Sequence, residues 1–188
     1  MKTDILIVGS GCAGLYAALN LPSDKQITII TKDIVEHSDS FLAQGGMCML
    51  KSEDDYDSYF EDTMKAGHYE NNPKSVEVMI RSSVDVVNDL VKYGADFHRE
   101  PDGSLSYTKE GAHSHHRIIF HEDVTGKEIT STLLRNVEKL PNVTIYEHVT
   151  MVDILCKDNC CYGVVARDAE NKIFPIMANY TCLLYTSD

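Results

Sequence analysis

The sequence predicts an α/β fold in which a parallel β-sheet carries a small antiparallel β insertion. Two observations support this prediction. A strand, a glycine turn, a helix and a second strand follow one another within the first 32 residues, and four β-patterned segments follow Pro141. Helical periodicities fill the region between these two parts. At 188 residues, the chain is long enough for one domain with its own core.

The first 32 residues form a compact βαβ pattern. In "DILIVGSGCAGLYAALNL", Ile5–Val8 are continuously apolar, as expected of a strand that is covered on both faces. Leu15, Ala18 and Leu19 then recur at helical spacing. "QITIITK" supplies the second strand, which ends near Lys32.

Three further segments have helical periodicity. "DSYFEDTMKAG" has Gly67 at a plausible C-terminus, and "SVEVMIRSSVDVVNDLVKYG" carries an apolar stripe that ends at Gly94, which fits the C′ position. The third helix opens at "TGKE", where Thr125 and Glu128 have the spacing of a capping box.

After Pro141 the pattern becomes that of β-strands: "NVTIYEH", "TMVDILCKD", "CYGVVARD" and "KIFPIMANYTCLL". Asp158-Asn159 and residues 168–171 are expected to be turns between antiparallel strands. No helix follows the last strand, so we expect a domain that is incomplete at its C-terminus. We assign residues 1–182 to this domain. We expect residues 183–188, "LLYTSD", to be a non-native tail.

Composition excludes several classes of protein. Seventeen basic and 29 acidic residues give a formal charge of −12, which disfavours nucleic acid as a partner. No apolar run approaches the roughly 20 residues of a membrane span, and no signal peptide is evident, so we expect a cytoplasmic protein. The six cysteines form no CxxC pair, and we expect reduced thiols and no metal site.

Gly9, Gly11 and Gly14 match the G-x-G-x-x-G pattern of Rossmann-like dinucleotide sites. The glycines permit a tight turn, close approach to a pyrophosphate, and close packing of helix on strand. The alternative is a glycine-containing turn without a ligand. One feature departs from the general fingerprint: the second strand ends in Lys32, with Asp33 one place further on, which makes NAD a less suitable ligand.

Two motifs resemble one flavoprotein superfamily. "SFLAQGG", Ser40–Gly46, resembles the loop that lies along the flavin in succinate dehydrogenases, fumarate reductases and L-aspartate oxidases. "TKEGAHSHHRIIFHEDVTGKEI" is similar to a signature of the L-aspartate oxidases. The resemblance covers residues 4–182 and implies a Rossmann-like FAD-binding domain, with the capping domain and the C-terminal helical domain absent from the chain.

The resemblance also implies the residues that contact FAD. Met151 and Val152 would contact the adenosine half through their backbone. The covalent attachment seen in membrane-bound relatives uses a histidine where this chain has Asp39, so noncovalent FAD is expected. The complete set of expected contacts is Gly9, Ser10, Gly11, Cys12, Ala13, Gly14, Lys32, Asp39, Ser40, Phe41, Leu42, Ala43, Gln44, Gly45, Gly46, Met151 and Val152.

The histidine-rich stretch is expected to form one wall of a dicarboxylate pocket. By resemblance, Glu110 meets the substrate, where its carboxylate suits the α-ammonium of aspartate, and His113 is the histidine placed in the pocket. If the stretch is a strand, His113 and His115 share one face, whereas His116 and His121 fit an exposed surface. For Arg117 two roles stay open: a clamp on a carboxylate, or an ion pair with a neighbouring acid.

The function implied by the resemblance is FAD-dependent oxidation of L-aspartate to iminoaspartate, with oxygen or fumarate as the electron acceptor, in de novo NAD biosynthesis. Quinolinate synthase is the implied pathway neighbour. The family's remaining catalytic groups would follow residue 188, so we expect no turnover by this chain alone. The alternatives are a soluble fumarate reductase or succinate dehydrogenase-type flavoprotein, and a noncatalytic dinucleotide-binding module.

Overall fold

The structure, a computed structural model, describes residues 1–184. The chain divides into two compact units, which we call the sheet unit (Met1–Leu42 with the chain from Ile129 onward) and the helical unit (Ala43–Glu128). In chain order the elements are β1 (Lys2–Val8), α1 (Cys12–Asn20), β2 (Ile27–Ile30), α2 (Asp39–Leu42), β3 (Met47–Cys48), α3 (Tyr56–Ala66), α4 (Pro73–Tyr93), β4 (Ile118–Ile119), α5 (Thr125–Val137), β5 (Val143–Tyr146), β6 (Thr150–Lys157), β7 (Cys160–Arg167) and β8 (Ile173–Leu183).

The sheet unit contains six strands in the order β5-β2-β1-β8-β7-β6. β5, β2, β1 and β8 are parallel, whereas β7 and β6 continue the sheet in antiparallel pairs. The side chains of Leu6 and Ile30 are fully buried, and they share a core with Val164 and Ile176 of the antiparallel part. Continuous burial on both faces explains the unbroken apolar runs of β1 and β2. The predicted fold class is confirmed.

The order of the strands determines where a nucleotide could bind. β1 pairs with β2 on one side and with β8 on the other, so the direction in which strands are added reverses at β1. In open parallel sheets, ligands bind beyond the carboxyl ends of the strands at such a reversal. The turn that leaves β1, residues 9–11, lies at this point.

The helical unit has its own core, formed where α3 and α4 pack together. Tyr59 and Met64 of α3 contact Val76 and Ile80 of α4, and Leu50 completes the cluster. Asn72 caps α4 by accepting two backbone N–H groups, and the helix stops at Gly94, whose φ of 99° is left-handed. The C-terminal glycine predicted for this helix is therefore confirmed.

One local prediction is wrong. Thr125 and Glu128 do not form a capping box: Thr125 Oγ1 accepts the backbone N–H of His121 at 3.0 Å, and Glu128 accepts that of Asp96 at 2.9 Å. Both side chains therefore fix the preceding loops instead of each other's backbone. The histidine-rich stretch is a strand only at β4: residues 111–115 contain a turn and a bend, so the condition under which His113 and His115 share a strand face is not met.

At the C-terminal end, β8 continues the parallel sheet beyond the expected domain boundary at residue 182. Leu183 is in register with Val8, and the backbone N–H of Leu184 donates to the Val8 carbonyl at 3.0 Å. Residues 185–188 of the expected tail lie outside the described residues. Within residues 1–184, no helix has the length and apolarity needed to cross a bilayer.

Candidate functional site

The turn between β1 and α1 has the geometry that its glycines predict. Gly9 has φ 115°, a value that only glycine adopts without strain. A Cβ on Gly14 would lie 2.2 Å from the Gly9 carbonyl oxygen, so this position cannot hold a larger residue unless the turn moves. These two glycines bring the helix directly onto the end of the strand.

The N-terminus of α1 is suited to bind an anion. Gly11 occupies the N-cap position and supplies no side-chain cap, and the first turn contains no acidic residue. The N–H groups at the start of a helix lack intrahelical partners, and the helix dipole adds partial positive charge. Cys12 and Ala13 form the first turn, so their backbone groups are the ones offered to a phosphate.

Ser10 provides an independent sign that this turn binds a polar ligand. Its side chain is 2% exposed, and among the described residues its Oγ has no hydrogen-bond partner. A buried hydroxyl without a partner costs free energy, of the order of 1–3 kcal/mol. A nucleotide that accepts a hydrogen bond from this hydroxyl would remove that cost, so the turn fits such a ligand.

Asp33, which follows the second strand, is held by hydrogen bonds to neighbouring groups. One carboxylate oxygen of Asp33 accepts the Ile34 N–H at 2.8 Å, and the other lies 2.9 Å from His37 Nδ1. The hydrogen bond from His37 is the main reason why the pKa of Asp33 lies below its ordinary value. Asp33 is thus engaged locally, whereas the side chain of Lys32 beside it is exposed.

The start of β6 lies beside the same strand end. The Val149 N–H donates to the Thr31 carbonyl at 2.9 Å, next to Lys32 in sequence. Two residues later the register between β6 and β7 is irregular between Met151 and Asp153. Val152, which is 54% exposed, falls in this irregularity, so its backbone is less constrained by the sheet.

The first half of the predicted flavin loop also reaches the glycine turn. α2 spans Asp39–Leu42, and the Phe41 and Leu42 N–H groups donate to the Ser38 carbonyl. A Cβ on Gly11 would lie 2.9 Å from Ser40 Oγ. The two loops therefore approach each other at Gly11, as one shared binding surface requires.

The second half of the loop belongs to the helical unit, where it runs beside Glu110. Ala43, Gln44, Gly45 and Gly46 are all exposed. The Ala43 carbonyl accepts the Gly126 N–H at 3.0 Å. A Cβ on Gly45 would lie 3.7 Å from a carboxylate oxygen of Glu110.

His113 occupies a different environment from Glu110. The side chain of Glu110 is exposed, and its carbonyl accepts the His113 N–H at 3.0 Å in a tight turn. The His113 ring is partly buried, with Nε2 3.3 Å from Cys48 Sγ and Nδ1 3.5 Å from an Arg117 nitrogen. Glu110 is thus free to bind a ligand, whereas His113 is held by protein contacts.

Arg117 is the centre of a buried ion-pair network. Its side chain is 0% exposed and donates to Asp55 through Nε (3.1 Å) and Nη2 (2.7 Å). Nη1 lies 2.6 Å from Asp62, and Nη2 also donates to Ser58 at 2.7 Å. The guanidinium lies 4.9 Å from the ring centroid of Tyr59. Of the two roles left open by the sequence, the ion pair is the one formed, and it is buried.

The network sets the protonation of its carboxylates. Burial opposes ionisation of Asp55, but hydrogen bonds from Arg117, His115 and Ser58 outweigh it and lower the pKa to about 2. Burial likewise opposes ionisation of Asp62, and hydrogen bonds from Ser114 and Arg117 lower that pKa to about 2. Both acids are therefore charged at neutral pH.

A cavity of about 630 Å³ lies in the helical unit between α3, α4 and β3. His113, Asp62 and Cys48 reach it, but most of its lining is apolar, including Val78 and Val86. Burial is the main cause that raises the Cys48 pKa, so this thiol is protonated at neutral pH. The lining contains no lysine or arginine, so the cavity alone does not provide a clamp for two substrate carboxylates.

The other histidines of the stretch do not converge on one point. His115 is 60% exposed and lies 3.1 Å from Asp55, and His116 is exposed. His121 is only 26% exposed, and its Nδ1 is hydrogen-bonded to the Asp96 carbonyl. Among residues 1–184, no group of three or more His, Cys, Asp or Glu side chains has the arrangement of a metal site.

Sequence reasoning missed Asp55, Asp62 and Cys48 as partners of the histidine stretch. The two acids are seven residues apart, with Tyr59 between them, and this spacing places all three on one face of α3 and the turn before it. Acids on the same face as a buried tyrosine could have indicated a buried cation partner. No local signal pointed to Cys48.

Comparison with known proteins agrees with this geometry. The family profile described as an FAD binding domain matches residues 4–187. An L-aspartate oxidase of Clostridium perfringens is 47% identical over 86% of this chain and 37% of that protein, and one of Clostridium acetobutylicum is 38% identical over 97% and 42%. A variant of the E. coli quinol fumarate reductase FrdA superposes with a TM-score of 0.90 at 26% identity, over 97% of this chain and 32% of that one.

The chain therefore spans about two fifths of the length of the curated relatives that it matches. The match to the family profile covers nearly all of the chain. The matched residues include the glycine turn with Ser10, whose hydroxyl has no hydrogen-bond partner among the described residues. The predicted resemblance and the predicted cofactor are confirmed: the chain belongs to the FAD-binding domain family, and its homologues include L-aspartate oxidases.

Proposed function

We propose that this chain is the FAD-binding part of an enzyme that oxidises L-aspartate to iminoaspartate. The observation that carries the proposal is the proximity of Gly45 to Glu110: an added Cβ would lie 3.7 Å from the carboxylate. Gly45 belongs to the loop that resembles the flavin loop, and Glu110 is the acid assigned to the substrate. The substrate's ammonium and the flavin ring would thus be held by neighbouring groups.

The residues that would hold FAD fall into three groups. The turn and helix start, with Ser10 and Cys12 as examples, would bind the pyrophosphate through N–H groups and the buried hydroxyl. Lys32, Met151 and Val152 would contact the adenosine half. Asp39–Gly46 would contact the isoalloxazine. FAD supplies the hydride acceptor, and we propose that it is bound without a covalent link, since Asp39 stands where the covalently linked relatives have a histidine.

Glu110 would select an amino acid over a plain dicarboxylate. An exposed carboxylate beside a glycine loop leaves room for an α-ammonium, and the opposite charges attract when water is excluded. Succinate has no cation to place there. His113, fixed by Cys48 and Arg117, would position the neighbouring turn and supply a wall of the site.

One observation favours a second candidate, a fumarate reductase or succinate dehydrogenase-type activity. The FrdA variant matches this fold with a TM-score of 0.90. The higher identity to L-aspartate oxidases, 47% over 162 residues, favours aspartate. Oxygen or fumarate as acceptor, a cytoplasmic location, a role in NAD biosynthesis and supply of a quinolinate synthase stay predictions that follow from the sequence resemblance.

The proposal is tested in a chimera. Residues 1–184 replace the matching part of the C. perfringens L-aspartate oxidase, and peroxide release and fumarate reduction are measured for the wild-type chimera and for Glu110→Gln. We expect Glu110→Gln to lower kcat/KM for L-aspartate at least tenfold with unchanged FAD content and with fumarate reduction largely retained. Equal loss of both activities would refute the ammonium role, and a flavin-loaded chimera without aspartate oxidation would refute the proposed activity.

The 188 residues by themselves serve as a second sample. These residues match about two fifths of the length of the relatives, and we propose that they give no aspartate-dependent peroxide even when FAD is supplied. Turnover by these residues alone would contradict this part of the proposal.

A further inference from the structure

The hairpin formed by β6 and β7 carries three of the six cysteines of the chain. Cys156 lies near the end of β6, and Cys160 and Cys161 begin β7. All three are free thiols with exposed side chains. Cys156 and Cys161 are register partners, and Lys157 is the register partner of Cys160. Two thiols therefore lie directly opposite each other on adjacent antiparallel strands.

The turn fixes the kind of pair that the two cysteines form. Asp158 and Asn159 connect the strands with φ values of 50° and 60°, the left-handed values that both central residues of a type I′ turn require. In such a two-residue hairpin the residues that flank the turn, Lys157 and Cys160, form the hydrogen-bonded pair. Because the two kinds of pair alternate, Cys156 and Cys161 form a non-hydrogen-bonded pair.

This kind of pair suits a disulfide. Opposed residues at non-hydrogen-bonded positions have Cα atoms about 4.5 Å apart and side chains that are close together on one face of the sheet. A disulfide requires Cα atoms roughly 4.4–6.8 Å apart. Cys160, one residue along, projects to the opposite face and cannot compete for Cys156 within the hairpin.

We propose that Cys156 and Cys161 are a redox modification site, at which a hydroperoxide converts the two thiols into a cross-strand disulfide. The thiolate of one cysteine attacks the peroxide O–O bond, giving a sulfenic acid and, with hydrogen peroxide, one water. The thiolate of the other cysteine attacks the sulfenic sulfur and releases the second water. Two thiols and one peroxide give one disulfide and two waters, so the cysteines are oxidised and the peroxide is reduced.

The local structure favours the bridge over other products. Both thiols are open to solvent, so peroxide reaches them without unfolding. The Cys161 thiol is hydrogen-bonded only weakly, to the Gly163 carbonyl at 3.6 Å, and is easily released. A register irregularity separates Cys156 from Ile154, so the cysteine pair lies between this irregularity and the turn. A bond there would fasten the outer end of the hairpin.

The test treats the reduced 188-residue chain with one equivalent of hydrogen peroxide at pH 8, blocks remaining thiols with N-ethylmaleimide, and maps peptides by mass spectrometry. We expect a monomer that has lost two of its six reactive thiols, with a Cys156–Cys161 linked peptide as the main product. Dithiothreitol should restore both thiols.

Single serine variants provide the controls. Cys160→Ser should form the bridge as the wild type does, whereas Cys156→Ser and Cys161→Ser should each lose it completely. All three substitutions are at exposed positions, so they are not expected to disturb folding. The proposal is overturned if Cys156 and Cys161 are both fully alkylated after peroxide, if the main disulfide contains Cys160, or if the linked peptides come from covalent dimers.

Discussion

Removal of the Arg117 side chain provides a demanding test of how the histidine stretch is held. Arg117 is fully buried and contacts Asp55 and Asp62, whose side chains are 9% and 16% exposed. Arg117→Met keeps much of the volume but removes the charge and all the donors. The variant leaves two carboxylates without their cation in a largely buried position.

The magnitude follows from the pKa values. Each carboxyl pKa falls from the ordinary 3.8 to about 2. A shift of one pKa unit corresponds to about 1.4 kcal/mol, so each depression represents roughly 2 kcal/mol of stability at neutral pH. Loss of one partner from a buried ion pair typically costs about 3–5 kcal/mol, which agrees with two carboxylates sharing one arginine. We therefore expect Arg117→Met to lower the free energy of unfolding by about 3–5 kcal/mol.

The assay is urea unfolding of wild type and variant, followed by circular dichroism at neutral pH. Arg81→Met is a matched control, because Arg81 also contacts two acids, Glu77 and Glu53, and lies 4.3 Å from the ring centroid of Tyr56. Its side chain is 47% exposed, so we expect a loss of about 0–1 kcal/mol. Equal effects of the two substitutions would refute the reasoning from burial.

Lowering the pH gives a second, independent signature. A carboxyl group with a depressed pKa stabilises the folded state above its unfolded pKa, near 4, and loses this contribution as the pH falls towards its folded pKa, about 2. In the variant only the hydrogen bonds from His115, Ser58 and Ser114 remain, so the two depressions are smaller. The difference in stability between wild type and Arg117→Met should therefore shrink between pH 4 and pH 2, and a difference that stays constant over this range would show that lost packing is its cause.

Two further predictions concern the cofactor loop and the cofactor. Gly46→Ala should destabilise the chain by about 1–3 kcal/mol in urea unfolding, since its Cβ would lie 2.2 Å from Ile118 Cγ2, whereas Gly45→Ala, with a nearest atom at 3.7 Å, should change stability little. Acid precipitation of the FAD-loaded protein should leave the yellow colour in the supernatant, and flavin retained in the washed pellet would contradict noncovalent binding.

The first part of the fold could be predicted from sequence because its signals are local. The apolar runs of β1 and β2 and the glycines between β1 and α1 each determine their own structure over a few residues. Gly94 marks the end of α4 in the same way, because a left-handed residue there suits glycine alone. These features depend little on the rest of the chain.

The surroundings of Arg117 could not be predicted in the same way. Asp55 and Arg117 are separated by 62 positions, and their contact depends on how the turn before α3 and the segment before β4 come together in the helical unit. Nothing in the immediate sequence of either residue specifies this partner. The capping box failed for a related reason: Thr125 and Glu128 had the correct spacing, but loop N–H groups of His121 and Asp96 competed successfully for their oxygens.

Direct titration of the chain with FAD tests the central claim that the glycine turn and the loop beside it hold a flavin nucleotide. We expect saturable quenching of flavin fluorescence at one FAD per chain, which NAD does not reverse. Gly11→Val should abolish this quenching, because its side chain would meet Ser40. Cooperative urea unfolding of this variant without FAD would show that it is folded. FAD binding of equal strength by wild type and Gly11→Val, or none by the folded wild type, would show that this turn and loop do not hold the flavin.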